Sequence, residues 1–193
     1  MAYSRLIDAA LIFAATAHRD QVRKGTGTPY IVHPVGVMLL LIQAGELDPE
    51  LLAAALLHDT LEDAGVSEDT LRDQFGARVA EIVAGASEPY SRDELWETRK
   101  QHTVAFLRTA PREVQLVAAA DKLHNLTSMV IDHAALGDEL WTRFNRGRPN
   151  IAWYYRSICA SLRAGEVRDH PVVTQLAETV ETFFGPAEAA DPA

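Results

Sequence analysis

An all-α fold, a single compact helical bundle, is predicted by three features of this 193-residue chain. Apolar residues recur at helical spacing almost everywhere, strand-like alternation is scarce, and the breaks carry helix-start and helix-stop residues. The spacing predicts helices near 3–18, 34–45, 49–63, 67–75, 76–86, 93–108, 111–134, 138–163 and 169–184. The opening "MAYSRLIDAALIFAATAHRD" reads as an ordinary first helix, because Asp8 interrupts its apolar stretch and no cleavage site follows. Pro34 suits the first turn of the second helix and Gly45 its end; Gly65 stops the third. "SEDT" (67–70) and "SRDE" (91–94) offer N-cap residues, and Pro111 opens the long helix that follows. Two polar loops stand between apolar helices, "RKGTGTPY" (23–30) and "SEPYSRDE" (87–94). With no repeat and no linker, one domain is expected over residues 1–185: a motif-bearing core at about 18–134, C-terminal helices at 138–184, and a frayed tail at 186–193.

Composition narrows the partners. A net charge of −9 weighs against DNA or RNA, whose phosphate backbones want basic surfaces. The lone Cys159 excludes an internal disulfide and a cysteine zinc cluster, and fits a reducing compartment. No apolar run reaches the roughly 18–20 residues that span a bilayer. A cytoplasmic protein without membrane contact is expected; its oligomeric state is left open, a homo-oligomer included.

The chemistry gathers in "LLAAALLHDTLEDAG" (51–65), where a buried-looking helix ends in His58, Asp59, Glu62 and Asp63. On a helix these four fall within an arc of roughly 140°. A solvated helix end is the ordinary alternative, but the C-terminal end of a helix is already negative and prefers cations. A bound divalent cation would remove the conflict. "VQLVAAADKLHNL" (114–126) places Asp121 after three alanines, where a carboxylate needs a cation, a hydrogen-bond network or neutralisation. Asn125 shares its face, and His124 reads as a supporting residue. "TPYIVHPVGV" adds His33 at a helix start. Two imidazoles and two carboxylates suit one divalent transition ion with open positions.

His33, the adjacent His58–Asp59 and the distant Asp121 resemble the HD superfamily of metal-dependent phosphohydrolases. "HRDQVRKGTGTPYIVHP", "ALLHDTLEDAGVS", "FGARVAEIV" and "ADKLHNL" narrow the resemblance to the hydrolase domain of the Rel/SpoT enzymes and their stand-alone small relatives, including the metazoan SpoT homologue type. The resemblance implies an HD-domain fold and one divalent ion, typically Mn²⁺, held by His33, His58, Asp59 and Asp121. It implies that Glu62 and Asp63 orient or deprotonate the water and assist the leaving group, and that Arg23, Lys24 and Asn125 contact a small nucleotide substrate. The reaction implied is removal of the 3′-pyrophosphate of ppGpp and pppGpp, giving GDP or GTP. The synthetase half of the bifunctional enzymes has no counterpart, so hydrolysis without synthesis is expected.

The resemblance thins after about residue 130. In "GDELWTRFNRGRPNIAWYYRSICASL" (137–162), Arg146 and Arg148 are candidate phosphate contacts, while the aromatics read equally as core. The 87–100 stretch departs from the Gly-Val-Thr-Lys run of Rel-type domains, which leaves base and phosphate pattern open; Arg99 and Lys100 are either phosphate contacts or surface charges. The alternatives are the same chemistry on an adenosine alarmone or the 2′-phosphate of NADPH, and a non-catalytic nucleotide sensor. An HD-GYP activity is disfavoured for want of a Gly-Tyr-Pro motif.

Overall fold

The structure is a computed structural model that describes residues 4–88 and 94–186. Among these, helices follow in the order α1 (Arg5–Ala17), α2 (Val32–Gln43), α3 (Pro49–Leu57), α4 (Thr60–Asp63), α5 (Glu68–Phe75), α6 (Ala77–Ala86), α7 (Trp96–Leu107), α8 (Arg112–Leu136), a 3-10 helix (Gly137–Arg143), α9 (Gly147–Ala164) and α10 (Pro171–Phe184). The all-α expectation holds; the described residues contain a single isolated bridge, Val22 with Pro29.

Two helices carry the core. In α3 every residue from Leu51 to Leu57 is buried, so no face is left for water. α1, α2, α6 and α8 pack around it. α8 buries an unbroken run from Val114 to Asp121 and continues past α2 and α10. A leucine removed from water contributes about 2 kcal/mol, so the buried leucines of these two helices are a large part of what stabilises the centre. Asp121 is the charged exception in that run, and its position decides where the site lies.

The helix boundaries follow local chemistry. Ser4 caps α1 by accepting from Ile7 N–H, Asp48 caps α3 through Glu50 N–H, and Ser67 caps α5 through Thr70 N–H. Gly45 and Gly65 stop their helices with φ of +96° and +67°. The "SRDE" cap lies outside the fully described residues, since 91–93 are not among them.

Two expected helices are broken. The 49–63 helix ends at Leu57 and restarts at Thr60. At the break the Thr60 hydroxyl donates to Leu57 O (2.7 Å), and His58 Nδ1–H donates to Ala55 O (2.9 Å). These side chains take carbonyls that the helical ladder would otherwise use. The expected 138–163 helix gives way to a 3-10 turn, a break at 144–146, and α9 from Gly147. Pro149 explains it: proline is tolerated in a first turn but not mid-helix, where it clashes with the carbonyl four residues back.

At the far end of the bundle Arg78, on α6, ties together the starts of α3 and α8. Its guanidinium lies 2.6 Å from Asp48, 2.7 Å from Glu50 and 3.0 Å from Glu113. Burial pushes the Asp48 carboxyl up, but its hydrogen bond to Arg78 wins and holds it below its usual value; the Arg78 hydrogen bond likewise lowers Glu113. Both folded-state values are depressed, so the contribution is complete above the unfolded carboxylate range and is lost as pH falls through the folded values. Arg78→Met is expected to cost about 1 kcal/mol near neutral pH, with the difference from the parent shrinking as pH falls below about 4. Urea unfolding of both proteins at pH 7 and pH 3 measures it.

Candidate active site

The site is assembled from three places in the chain. The "RKGTGTPY" loop is not a loose turn: Arg23 N–H donates to Thr28 O and Tyr30 N–H to Gln21 O, both at 2.9 Å. This closure presents Arg23, Lys24 and Tyr30 beside the first turn of α2, where His33 is buried. The break after α3 supplies His58 and Asp59, and α4 supplies Glu62 and Asp63. α8 supplies Asp121, Lys122, His124 and Asn125.

The ligand atoms of His33, His58 and Asp59 lie within 4.8 Å of one another. Asp121 joins them, with Oδ1 3.1 Å from His33 Nε2 and 3.8 Å from His58 Nε2. The helix break sets the imidazole of His58. Its Nδ1 donates to Ala55 O, which leaves Nε2 buried, without a hydrogen-bond partner, and facing Asp59 Oδ2 at 3.2 Å. A lone pair aimed at two carboxylates is repulsive unless a positive centre sits between them. Burial opposes charge on His58, yet Asp59 and Asp121 raise its basicity well above normal: the carboxylates draw positive charge to this point. The donor set fits a divalent cation.

The surroundings hold these groups in that arrangement. Burial raises the Asp59 carboxyl, but His58 and His33 overcome it and hold it far below the usual range; Lys122 first, then His33 and His58, do the same for Asp121. Lys122 Nζ reaches Asp121 Oδ2 at 2.6 Å, and Asn125 Nδ2 donates to Asp121 Oδ1 at 2.6 Å. The Tyr30 hydroxyl donates to Asp59 (2.7 Å) and contacts Asp63 (3.2 Å). Burial first, then the acids beside it, keep that phenol protonated.

His124 sets the other imidazole. Its Nδ1 is 3.0 Å from His33 Nδ1. Burial, then His33 and Arg23 beside it, lower His124 to about 4, so it is neutral near pH 7 and can accept a hydrogen bond from His33 Nδ1–H, which turns His33 Nε2 towards Asp121. The approach requires Gly36: a Cβ there would stand 2.1 Å from His124 Nε2. A glycine inside α2 costs about 1 kcal/mol against alanine, and here the space it leaves is filled by an imidazole.

Two connected hollows open around this cluster. One, of about 850 Å³, is lined by His58, Asp59, Glu62, Asp63, Asp121, Glu88, Arg99 and Lys100 among others. The other, of about 650 Å³, is more apolar and includes Val22, Met129, Ile131, Phe144, Ile151 and Arg143. Arg23, Lys24, Tyr30, His33, Lys100, Lys122, Asn125 and Tyr154 line both. Glu62 Oε1 accepts from Glu88 N–H at 2.7 Å. Burial, with Asp59 and Glu88 adding, raises the Glu62 carboxyl despite that bond.

The remaining candidates divide. Arg23 reaches the cluster, donating to Asn125 Oδ1 at 2.6 Å, and Lys24 Nζ donates to Arg143 O at 2.6 Å. Arg146 and Arg148 line neither hollow. Arg146 pairs with Glu97 (3.2 Å), and Arg148 lies over Trp141 and Phe184 with the Phe183 carbonyl 3.4 Å away. Arg148 is thus spent on the end of α10, where a cation suits the exposed carbonyls. The basic groups that do line the cleft from this part of the chain are Arg99 and Lys100 on α7 and Arg143 in the 3-10 helix. Tyr30, Lys122 and Glu88 were not singled out from sequence, although the loop chemistry and the apolar setting of Asp121 called for such partners. Cys159 is buried, its thiol pushed up to about 11, and offers no nucleophile.

The model of the HD domain family matches residues 10–148. The chain belongs to the HD domain family. It is 43% identical over 119 residues to the guanosine-3′,5′-bis(diphosphate) 3′-pyrophosphohydrolase MESH1 of Danio rerio. That match takes in 61% of this chain and 65% of the zebrafish protein, a little under two thirds of the relative's length. A crystal structure from Listeria monocytogenes EGD-e aligns at a TM-score of 0.73 with 33% identity, over 80% of this chain and 99% of the other. A metazoan SpoT ortholog that hydrolyses ppGpp aligns at a TM-score of 0.79 over 96% of this chain and 99% of its own, with 23% identity, a likeness of fold.

Gly36→Ala should displace His124 and free the His33 ring to rotate. Metal affinity is expected to fall about 10–100-fold, the usual effect of losing a ligand's supporting partner. Equilibrium dialysis against Mn²⁺ reads the loss, and circular dichroism confirms retained helix.

Proposed function

We propose that this chain hydrolyses the 3′-diphosphate of guanosine alarmones, converting ppGpp or pppGpp to GDP or GTP and pyrophosphate. The observation that carries the reading is the convergence of His33, His58, Asp59 and Asp121, with the buried Nε2 of His58 3.2 Å from Asp59, in a cleft with one charged and one apolar lobe. The named activity of the zebrafish relative agrees with it. His33, His58, Asp59 and Asp121 would hold one divalent cation, Mn²⁺. Such a cation supplies Lewis-acid polarisation of a phosphoryl oxygen and makes water more acidic.

The residues of the chain do the rest. The apolar lobe takes the nucleoside, with the planar Arg23 guanidinium, 5.6 Å from the Tyr30 ring, offering a surface for the base. Lys24 and Asn125 fix the ribose end. Glu62 accepts a proton from the attacking water; its raised pKa brings it nearer the pH at which a base both exists ionised and draws protons well. The water oxygen bonds the nearer phosphorus of the 3′-diphosphate, the bond from that phosphorus to O3′ breaks, and O3′ takes up a proton as GDP or GTP leaves. Asp63, bonded to the Tyr30 hydroxyl, stands on the same turn and serves the leaving oxygen. Most of the rate then comes from positioning and charge stabilisation.

The same reading takes residues 1–185 as one catalytic domain, supported by the packing of α10 on α8 and α9. It places the protein in the cytoplasm and in the stringent response; no helix of the described residues is long and apolar enough to cross a membrane.

The deciding assay incubates metal-stripped protein with ppGpp, with and without Mn²⁺, and resolves products by anion exchange. GDP and pyrophosphate appearing only with metal are expected. No turnover of ppGpp in protein that binds Mn²⁺ overturns the guanosine substrate, and ppApp and NADPH run in parallel identify a different one. Glu62→Gln should keep the metal and lose on the order of 10²–10⁴ in turnover. Asp59→Ala should lose metal and activity together. Because only the ionised Glu62 accepts a proton, the acid limb of the parent's kcat profile should lie above the usual carboxylate range and disappear in Glu62→Gln.

A further inference from the structure

The carboxylate of Glu88 has no part in the reaction proposed above, yet it faces the charged lobe of the cleft. Arg99 NH1 lies 3.2 Å from one of its oxygens, and Lys100 Nζ bonds the other. The two cations are mostly buried, 18% and 17% exposed, so neither is an ordinary surface charge. Lys100 also stands 5.0 Å over the Tyr154 ring, and both side chains line the cleft. The backbone N–H of Glu88 is bound to Glu62, so these cations sit one hydrogen bond away from the proposed base. A carboxylate that gives one oxygen to each of two cations, inside a cleft for a polyanion, imitates a phosphoryl group.

We propose that Arg99 and Lys100 form the subsite for the diphosphate, and that the Glu88 carboxylate occupies it as an internal anion that the ligand must displace. The identity of the ligand rests on the function proposed above. Displacement needs only rotation of the Glu88 side chain; the backbone N–H stays on Glu62. Apparent affinity for the diphosphate then scales with the fraction of time the carboxylate is away from the cations.

The test titrates inorganic pyrophosphate into the full chain by calorimetry, with and without Mn²⁺. Glu88→Gln keeps the shape but removes the charge, and should tighten pyrophosphate about fivefold to tenfold if the carboxylate holds the subsite most of the time. Arg99→Gln and Lys100→Met should each weaken it about tenfold. Thermal unfolding confirms that each variant is folded. Weaker or unchanged binding in Glu88→Gln overturns the inference, because Glu88 would then be a scaffold for the cations. Unchanged binding in both cation variants overturns it too, placing the subsite elsewhere. Pyrophosphate binding needs no turnover. A protein inert towards ppGpp that still shows the Glu88 effect loses only the proposed function, and one that hydrolyses ppGpp without the effect loses only this inference.

Discussion

Everything near the cleft answers one electrostatic problem: two carboxylates, Asp59 and Asp121, stand beside the imidazoles of His33 and His58 in a setting made largely of buried leucine and alanine. Charges in such surroundings are stable only if each has an opposite charge or a donor close by. Lys122 and Asn125 serve Asp121, and Tyr30 serves Asp59. What they leave uncompensated is the point between the two Nε2 atoms, which is where the proposed cation would sit. The break between α3 and α4 exists for the same reason: an uninterrupted helix would not let His58 Nδ1 reach back to Ala55 O while Asp59 turns towards α2 and α8.

The fold converts that local problem into long-range constraints. α2 must carry Gly36 so that His124 can lie against His33, and this ties the spacing of α2 and α8 to the orientation of a ligand. The loop before α2 must close on itself so that Tyr30 points inward. Gly25, with φ of +80°, turns that loop tightly against the Arg143 guanidinium: a Cβ there would stand 2.5 Å from Arg143 NH1. The 3-10 turn and the loop therefore shape the apolar lobe together, though over a hundred residues separate them in sequence.

The helices, and the meeting of His33, His58, Asp59 and Asp121, were legible because both rest on local signals: periodicity, caps, and acids placed where a helix end or an alanine run should not tolerate them. The break at His58 was not, since apolar periodicity continues across it and does not report the competing bonds that the His58 and Thr60 side chains make to backbone carbonyls. Lys122 was missed for a geometric reason, because neighbours in a helix point about 100° apart and are not expected to meet. Its long stem folds back to reach Asp121. Arg146 and Arg148 were candidates by composition alone, and composition does not say whether an arginine faces a cleft or the carbonyls at a helix end. Pro149 was the stronger signal in that segment, and it marked the restart of a helix.

The cleft is rich in basic groups, but those around the His-Asp cluster are already engaged: Lys122 with Asp121, Arg23 with Asn125, Arg99 and Lys100 with Glu88. Positive charge is thus preorganised without being left bare, which spares the folded chain the repulsion of neighbouring cations in a partly buried space. The arrangement also grades ligands. A weakly charged anion exchanges one carboxylate contact for another of similar strength and gains nothing. A diphosphate brings more charge and more acceptor oxygens than Glu88, so it gains on exchange and can reach the cation site at the same time. On the proposed function, selectivity for a polyphosphorylated nucleotide would then follow from competition inside the protein as well as from the shape of the apolar lobe.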